Sequence, residues 1–228
     1  MQHAHHTLIA ERELAPVMVT VDNIVLAGDL CVPPEAKGIV IFAHGSGSSR
    51  FSPRNRFVAK VMQEHMIGTL LIDLLTAKEE QLDEQTRELR FDIALLAQRL
   101  EQIGTWVLKQ PKLRDMKLGY FGASTGGAAA LIAAAAQLDH VAAVVSRGGR
   151  PDLAMEILPE VEAPALLIVG GHDPQVLEWN KQALRLLNDR SRLEIVPRAT
   201  HLFEEPGALE TVAQLAAEWF ERQFREKS

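Results

Sequence analysis

Cysteine is nearly missing from this sequence: Cys31 is the only one in 228 residues, so no disulfide can form within the chain. A lone thiol in a chain of this size fits a reducing compartment. The first residues also lack a charged segment followed by the apolar stretch that directs secretion. A cytoplasmic protein is therefore the expectation. Long apolar runs are absent as well, since no stretch reaches the roughly 18 residues that argue for a membrane span. The longest run of small residues, Ala128 to Ala136, is alanine-dominated and reads as a buried helix. Nor is there an excess of basic charge: a formal net charge of −6 gives no general attraction to nucleic acid, which needs a basic surface or stripe. Neither a nucleic-acid nor a membrane partner is expected. Aromatic residues make up only 5%, and Trp106, Trp219 and Phe220 fall on helical stripes where core packing is their ordinary role.

What is present is an average globular composition, 47% hydrophobic and 24% charged, without repeats, low-complexity linkers or a break that would mark a second domain. One domain over residues 1–228 is expected, with residues 1–15 as a tail. His3, His5 and His6 lie in that tail with no partner ligands near them in sequence, so no metal site and no cofactor is assigned.

From Pro16 onward, short aliphatic runs alternate with longer segments of helical period, the pattern of a mostly parallel sheet covered on both faces. Val17–Val21 and Ile24–Val32, joined at Asp22 and Asn23, read as an antiparallel hairpin. Further strands are expected at 39–43, 69–74, 118–121, 141–145, 165–169 and 193–196, about eight in all. Helices are expected at 53–65, from about 84 to 109, and at 125–137, 176–188 and 207–225. The charge-rich segment from Thr76 to Arg90 reads as a solvated loop feeding the start of the long helix.

Three loops carry chemistry. Gly122-Ala123-Ser124-Thr125-Gly126 follows an apolar run and opens the alanine-rich helix, which is the strand, turn and helix context of a G-x-S-x-G nucleophile elbow. A serine hydroxyl needs a base to take its proton and an acid to hold that base in one tautomer. Asp173, in Gly170-Gly171-His172-Asp173, stands at the end of one strand. His201 lies after the next, just before the last helix. The order Ser, Asp, His suits this arrangement. His172 is a rival base but would need its own orienting partner, and His65 and His140 sit at helix ends. His44-Gly45-Ser46-Gly47 follows the 39–43 strand and offers the amide of Ser46, with that of Thr125, as an oxyanion hole. Each such donor contributes on the order of 3 kcal/mol of transition-state stabilisation. His44 itself is expected to hold its loop by hydrogen bonds.

Phe42-Ala43-His44-Gly45-Ser46-Gly47, the elbow, Gly170–Asp173 and Ala199-Thr200-His201-Leu202-Phe203 together resemble the dienelactone-hydrolase-like branch of the α/β-hydrolase superfamily, over nearly the whole chain from Gly38 to Phe220. The resemblance implies an eight-stranded sheet, no cofactor, and hydrolysis of an ester, lactone or thioester through an acyl-enzyme. Dienelactone hydrolases themselves carry a cysteine nucleophile where this sequence has Ser124, so their substrate is not carried over and carboxylesterase chemistry on a small soluble ester is the expectation. Only about 20 residues separate the sixth strand from the seventh, which leaves little room there for a large lid domain.

Arg50 and Arg54, after the oxyanion strand, and Arg147 and Arg150, after the 141–145 strand, are placed to reach the same sheet edge and clamp an anionic substrate group. The competing reading pairs them with local acids such as Asp152. Acyl transfer, perhydrolysis and a catalytically silent binding protein stay open as alternatives on this fold, and the sequence leaves monomer and homodimer equally open.

Overall fold

The computed structural model describes residues 14–225, so His3, His5 and His6 lie outside the described residues. One eight-stranded sheet organises them: β1 (Ala15–Val21), β2 (Ile24–Cys31), β3 (Gly38–Ala43), β4 (Gly68–Ile72), β5 (Lys117–Ala123), β6 (Val141–Arg147), β7 (Ala165–Gly170) and β8 (Arg192–Val196). Their order across the sheet is β1-β2-β4-β3-β5-β6-β7-β8. The β1–β2 and β2–β4 pairings are antiparallel, and all others are parallel. The continuous aliphatic runs of β3, β4 and β7 are buried along their whole length, as strands covered on both faces must be. The last strand, β8, is an edge. It carries exposed Arg192 and Glu194, and such charges discourage edge-to-edge pairing.

Helices α1 (Pro53–Glu64) and α6 (Ala208–Arg225) cover one face. There Val58, Met62, Val212, Ala216, Trp219 and Phe220 bury against Phe42, Phe121 and Val145. The other face carries α3 (Ile93–Lys109), α4 (Thr125–Ala136) and α5 (Pro174–Leu184), whose Leu100, Ile103, Leu131 and Ala183 pack with Ile41, Tyr120, Val144 and Leu167. The alanines of α4 let this helix lie close to the sheet beneath the elbow. Its residues Ala128, Ala129 and Ala130 are fully buried.

The segment after β4 differs from its expected form. Instead of a loop leading into one long helix, Ala77–Thr86 form a helix of their own, α2, started by a capping box in which Thr76 and Glu79 each bond the other's backbone amide. The helix stops at Arg87, which is in the left-handed region (φ 58). A 3-10 turn at Leu89–Phe91 and a new N-cap at Asp92, which accepts from the Leu95 amide at 3.0 Å, then start α3. Asp83 locks the break by accepting from both the amide and the guanidinium of Arg90. Arg99 ties α3 back to this segment through Leu74 O (2.7 Å) and the Glu79 carboxylate (2.9 Å). Burial would raise the Glu79 carboxyl, but the Arg99 guanidinium and the Thr76 donors outweigh it and hold it down to about 2. Among the described residues there is no large additional domain between β6 and β7, only 3-10 turns at Pro151–Leu153 and Leu158–Glu160. No helix of the described residues is long and apolar enough to cross a membrane.

Candidate active site

The parallel strands end on a common edge, and the three loops named above meet there. Ser124 leaves β5 in a positive-φ conformation (φ 52, ψ −119), costly for a residue with a Cβ and characteristic of functional turns. Two glycines permit the turn. A Cβ on Gly122 would lie 2.2 Å from Gly126 O, and one on Gly126 would lie 2.3 Å from Ala43 O. The backbone is pinned from β6: the Ser124 amide donates to Arg147 O at 3.2 Å, and Ser124 O accepts from Arg150 N at 3.1 Å. Serine at a helix start ordinarily caps the helix with its hydroxyl, yet Ser124 makes no such bond. The hydroxyl of this half-buried residue is left for other work.

Asp173 repeats the pattern. It stands at the N-cap of α5, ahead of Pro174, and does not cap the helix. Its Oδ2 instead meets Nδ1 of His201 at 2.7 Å. Close backbone approach makes that meeting possible. Gly171 N donates to Val196 O and His172 N to Ala199 O, both at 2.9 Å, and a Cβ on Gly170 would lie 2.3 Å from Ala199 O. The β7 and β8 loops are thus laced together, with Phe203 (φ 56) buried close behind His201. His172 is exposed beside the acid, whereas the carboxylate of Asp173 is taken up by His201. His201 abuts the loop after β6, its Cε1 3.5 Å from where a Cβ on Gly148 would stand. That loop also holds the Ser124 backbone. The Ser124 backbone and the imidazole therefore border one short segment, although no hydrogen bond joins the Ser124 hydroxyl to His201 in this structure.

The third loop closes over Ser124. A Cβ on Gly45 would lie 3.1 Å from Ala123 O and 3.3 Å from Ser124 Cβ, so Gly45 brings the adjoining Ser46 next to the elbow. The Thr125 amide is the first of α4, where helix geometry supplies no acceptor. His44 is buried beneath the loop. Its Nε2 accepts from the Leu74 amide at 3.1 Å, which leaves Nδ1 to carry the proton toward Gly45 O at 3.1 Å. Burial lowers its pKa, keeping it neutral as a fixed strut between β3 and β4.

A family model described as the dienelactone hydrolase family matches residues 28–225. The chain belongs to the dienelactone hydrolase family. A crystal structure of dienelactone hydrolase from Anabaena variabilis is 58% identical, with a TM-score of 0.91 over 92% of this chain and 97% of that one. Est1E from Butyrivibrio proteoclasticus, 16% identical over 92% of this chain and 99% of that one, has a TM-score of 0.76, a likeness of fold alone. Two curated Mycobacterium tuberculosis relatives, from strains CDC 1551 and H37Rv, bear the provisional name phosphoribosyl transferase. Each is 54% identical over 204 residues, 90% of this chain but 45% of the relative, so the chain spans about half the length of the curated proteins it matches.

Within this family fold the four arginines separate. Arg50 is tied to acids: its amide donates to Asp73 Oδ1 at 2.7 Å, and its guanidinium pairs with Asp73 Oδ2 and lies 3.8 Å from Asp29. Arg150 makes a bidentate pair with Asp152 at 2.8 and 2.7 Å and lies over the Trp179 ring. Both guanidinium groups are therefore engaged by carboxylates, one across 23 residues of sequence and one two residues away. Arg54 has only a long contact to Glu204, 3.4 Å, on an exposed carboxylate. Arg147 has no carboxylate within ion-pair distance among the described residues. Sequence reasoning missed Asp73, which lies 23 residues from Arg50 in sequence, and the wall built by α2. With Ser46, His44, Glu80 and Arg90, Asp73 lines a cavity of about 220 Å3 between the loop after β3 and α2.

Proposed function

We propose that the protein is a serine hydrolase that cleaves an ester bond of a small substrate through an acyl-enzyme on Ser124. The observation that carries this reading is the 2.7 Å contact between Asp173 and His201 Nδ1. It fixes the proton on Nδ1, leaves Nε2 as the basic nitrogen, and stabilises the imidazolium that forms when Nε2 accepts a proton. His201 takes the proton of the Ser124 hydroxyl as Oγ bonds the substrate carbonyl carbon. The resulting oxyanion rests on the amides of Ser46 and Thr125, and the same proton then passes to the departing alcohol. Water, deprotonated by His201, releases the acid and restores Ser124. In sites of this kind the bond between nucleophile and base commonly tightens only when substrate binds, which accommodates the open Ser124–His201 pair.

Membership of a hydrolase family and the strained elbow support the reading. The transferase name of the Mycobacterium relatives describes proteins about twice as long, whereas the segment they share with this chain is the hydrolase fold. Lactones and thioesters are acyl donors for the same steps. A fluorophosphonate probe tests the proposal: it is expected to modify Ser124 stoichiometrically and to leave Ser124→Ala untouched. An unmodified wild-type protein, or equal labelling of the variant, overturns it.

A further inference from the structure

The cation left over at the sheet edge points to the chemistry of the substrate. Arg147 ends β6, directly across from Ala123, and is only 8% exposed. One guanidinium nitrogen has a long contact to Asn55 Oδ1, 3.4 Å, and the other, Nη1, is buried with no partner. Arg54, in the first turn of α1, brings a second positive charge, and its Nε is likewise buried without a partner. Burial first, and then the Arg54 charge, push the Arg147 guanidinium down to about 10. An interior guanidinium without a carboxylate is costly, and placing a second cation beside it adds to the cost. Structural arginines elsewhere in the chain avoid this: Arg50, Arg90, Arg99 and Arg150 each have a carboxylate.

The position of the pair relates it to the chemistry. Arg147 O holds the Ser124 amide, and Arg54 reaches Glu204, three residues beyond His201. The pair reaches solvent at Arg54, whose side chain is 34% exposed.

We infer that Arg147 and Arg54 form an anion subsite that receives an oxyanion group, carboxylate or phosphate, carried by the substrate close to its scissile ester. The inference rests on the acyl-enzyme reading for the place of the ester, but not for the binding of the anion. Because those nitrogens are buried, Arg54 leaves its weak contact with Glu204 and turns outward to uncover them, and the anion then takes the unsatisfied guanidinium positions.

Two measurements test this. In the first, kcat/KM is determined for 4-nitrophenyl butyrate and for the 4-nitrophenyl half-ester of adipic acid, in wild type, Arg147→Met and Arg54→Ala. The ratio of charged to neutral ester is expected to fall about ten- to a hundredfold in Arg147→Met, the effect of losing charge-assisted hydrogen bonds, and by less in Arg54→Ala. A ratio unchanged in both variants overturns the inference, and if Arg147→Met does not fold, the result for the more exposed Arg54→Ala decides. In the second, the melting temperature of wild type and Arg54→Ala is followed against inorganic phosphate and against acetate. The anion that stabilises wild type more than the variant names the group, and stabilisation by neither overturns the subsite even if no ester is cleaved. Failure of the serine-hydrolase reading is separate, shown by an unlabelled Ser124.

Discussion

Replacing Asp173 with asparagine removes the charge beside His201 and keeps the size of the side chain. The carboxylate of Asp173 is 15% exposed and meets an imidazole that is 38% exposed, at 2.7 Å. At an effective dielectric of about 20, a full imidazolium–carboxylate attraction at that distance is roughly 6 kcal/mol. Solvent at the imidazole screens it to about 4 kcal/mol. Such a loss in the transition state lowers kcat by about a thousandfold. Asparagine also offers an N–H that favours the wrong imidazole tautomer, so the effect acts in the same direction. Stability is expected to change little, because Asp173 does not cap α5 and asparagine is as good an N-cap. The assay is hydrolysis of 4-nitrophenyl butyrate with a melting curve as control. A fall in kcat of less than tenfold, in a folded variant, would refute the assigned role of Asp173.

Other outcomes follow from the scaffold. His44 is neutral and its folded pKa is lowered by burial, so the unfolded chain binds more protons and stability is lost as pH falls below about 6.5 toward the lower folded value. Melting temperatures from pH 8 to 5 should show that decline, and it should shrink in His44→Gln, whose amide oxygen can still accept from Leu74. Gly126→Ala forces a methyl to within 2.3 Å of Ala43 O, a backbone atom that cannot yield. A loss of about 3 kcal/mol or more in urea unfolding is expected, and a change below about 0.5 kcal/mol would contradict the close approach. Thr76→Ala removes half of the capping box of α2 and should cost about 1 kcal/mol in the same measurement, with no loss meaning that α2 is not held by its cap.

Much of the site is legible in the sequence because its signals are local. Gly122–Gly126 and Gly170–Asp173 are short loops after aliphatic runs, and their glycines answer to atoms a few ångströms away. The strand ends fall within about two residues of expectation because burial on both faces enforces continuous apolar runs. Helix α5 begins two residues before its expected start because Pro174, which apolar periodicity ignores, is suited to the first helical position. Helix α2 escapes a sequence reading for a different reason. It presents a charged surface with little apolar periodicity, and its signature is the Thr76-x-x-Glu79 cap rather than a stripe. Among the arginines, only the pairing of Arg150 with Asp152, two residues away, is legible. Arg50 finds Asp73, and Arg54 reaches Glu204 across 150 residues. Nothing along the chain distinguishes them from Arg147, which finds no acid.

The most direct test of the central claim is to trap the intermediate. Intact-protein mass spectrometry, on samples quenched in acid soon after mixing with 4-nitrophenyl acetate, should show one added acetyl group, mapped by peptide digestion to Ser124 and accumulating further when Asp173→Asn slows its release. Turnover of the ester with no acetylated protein at any time, or an acetyl group on another residue, would contradict a covalent mechanism at this serine.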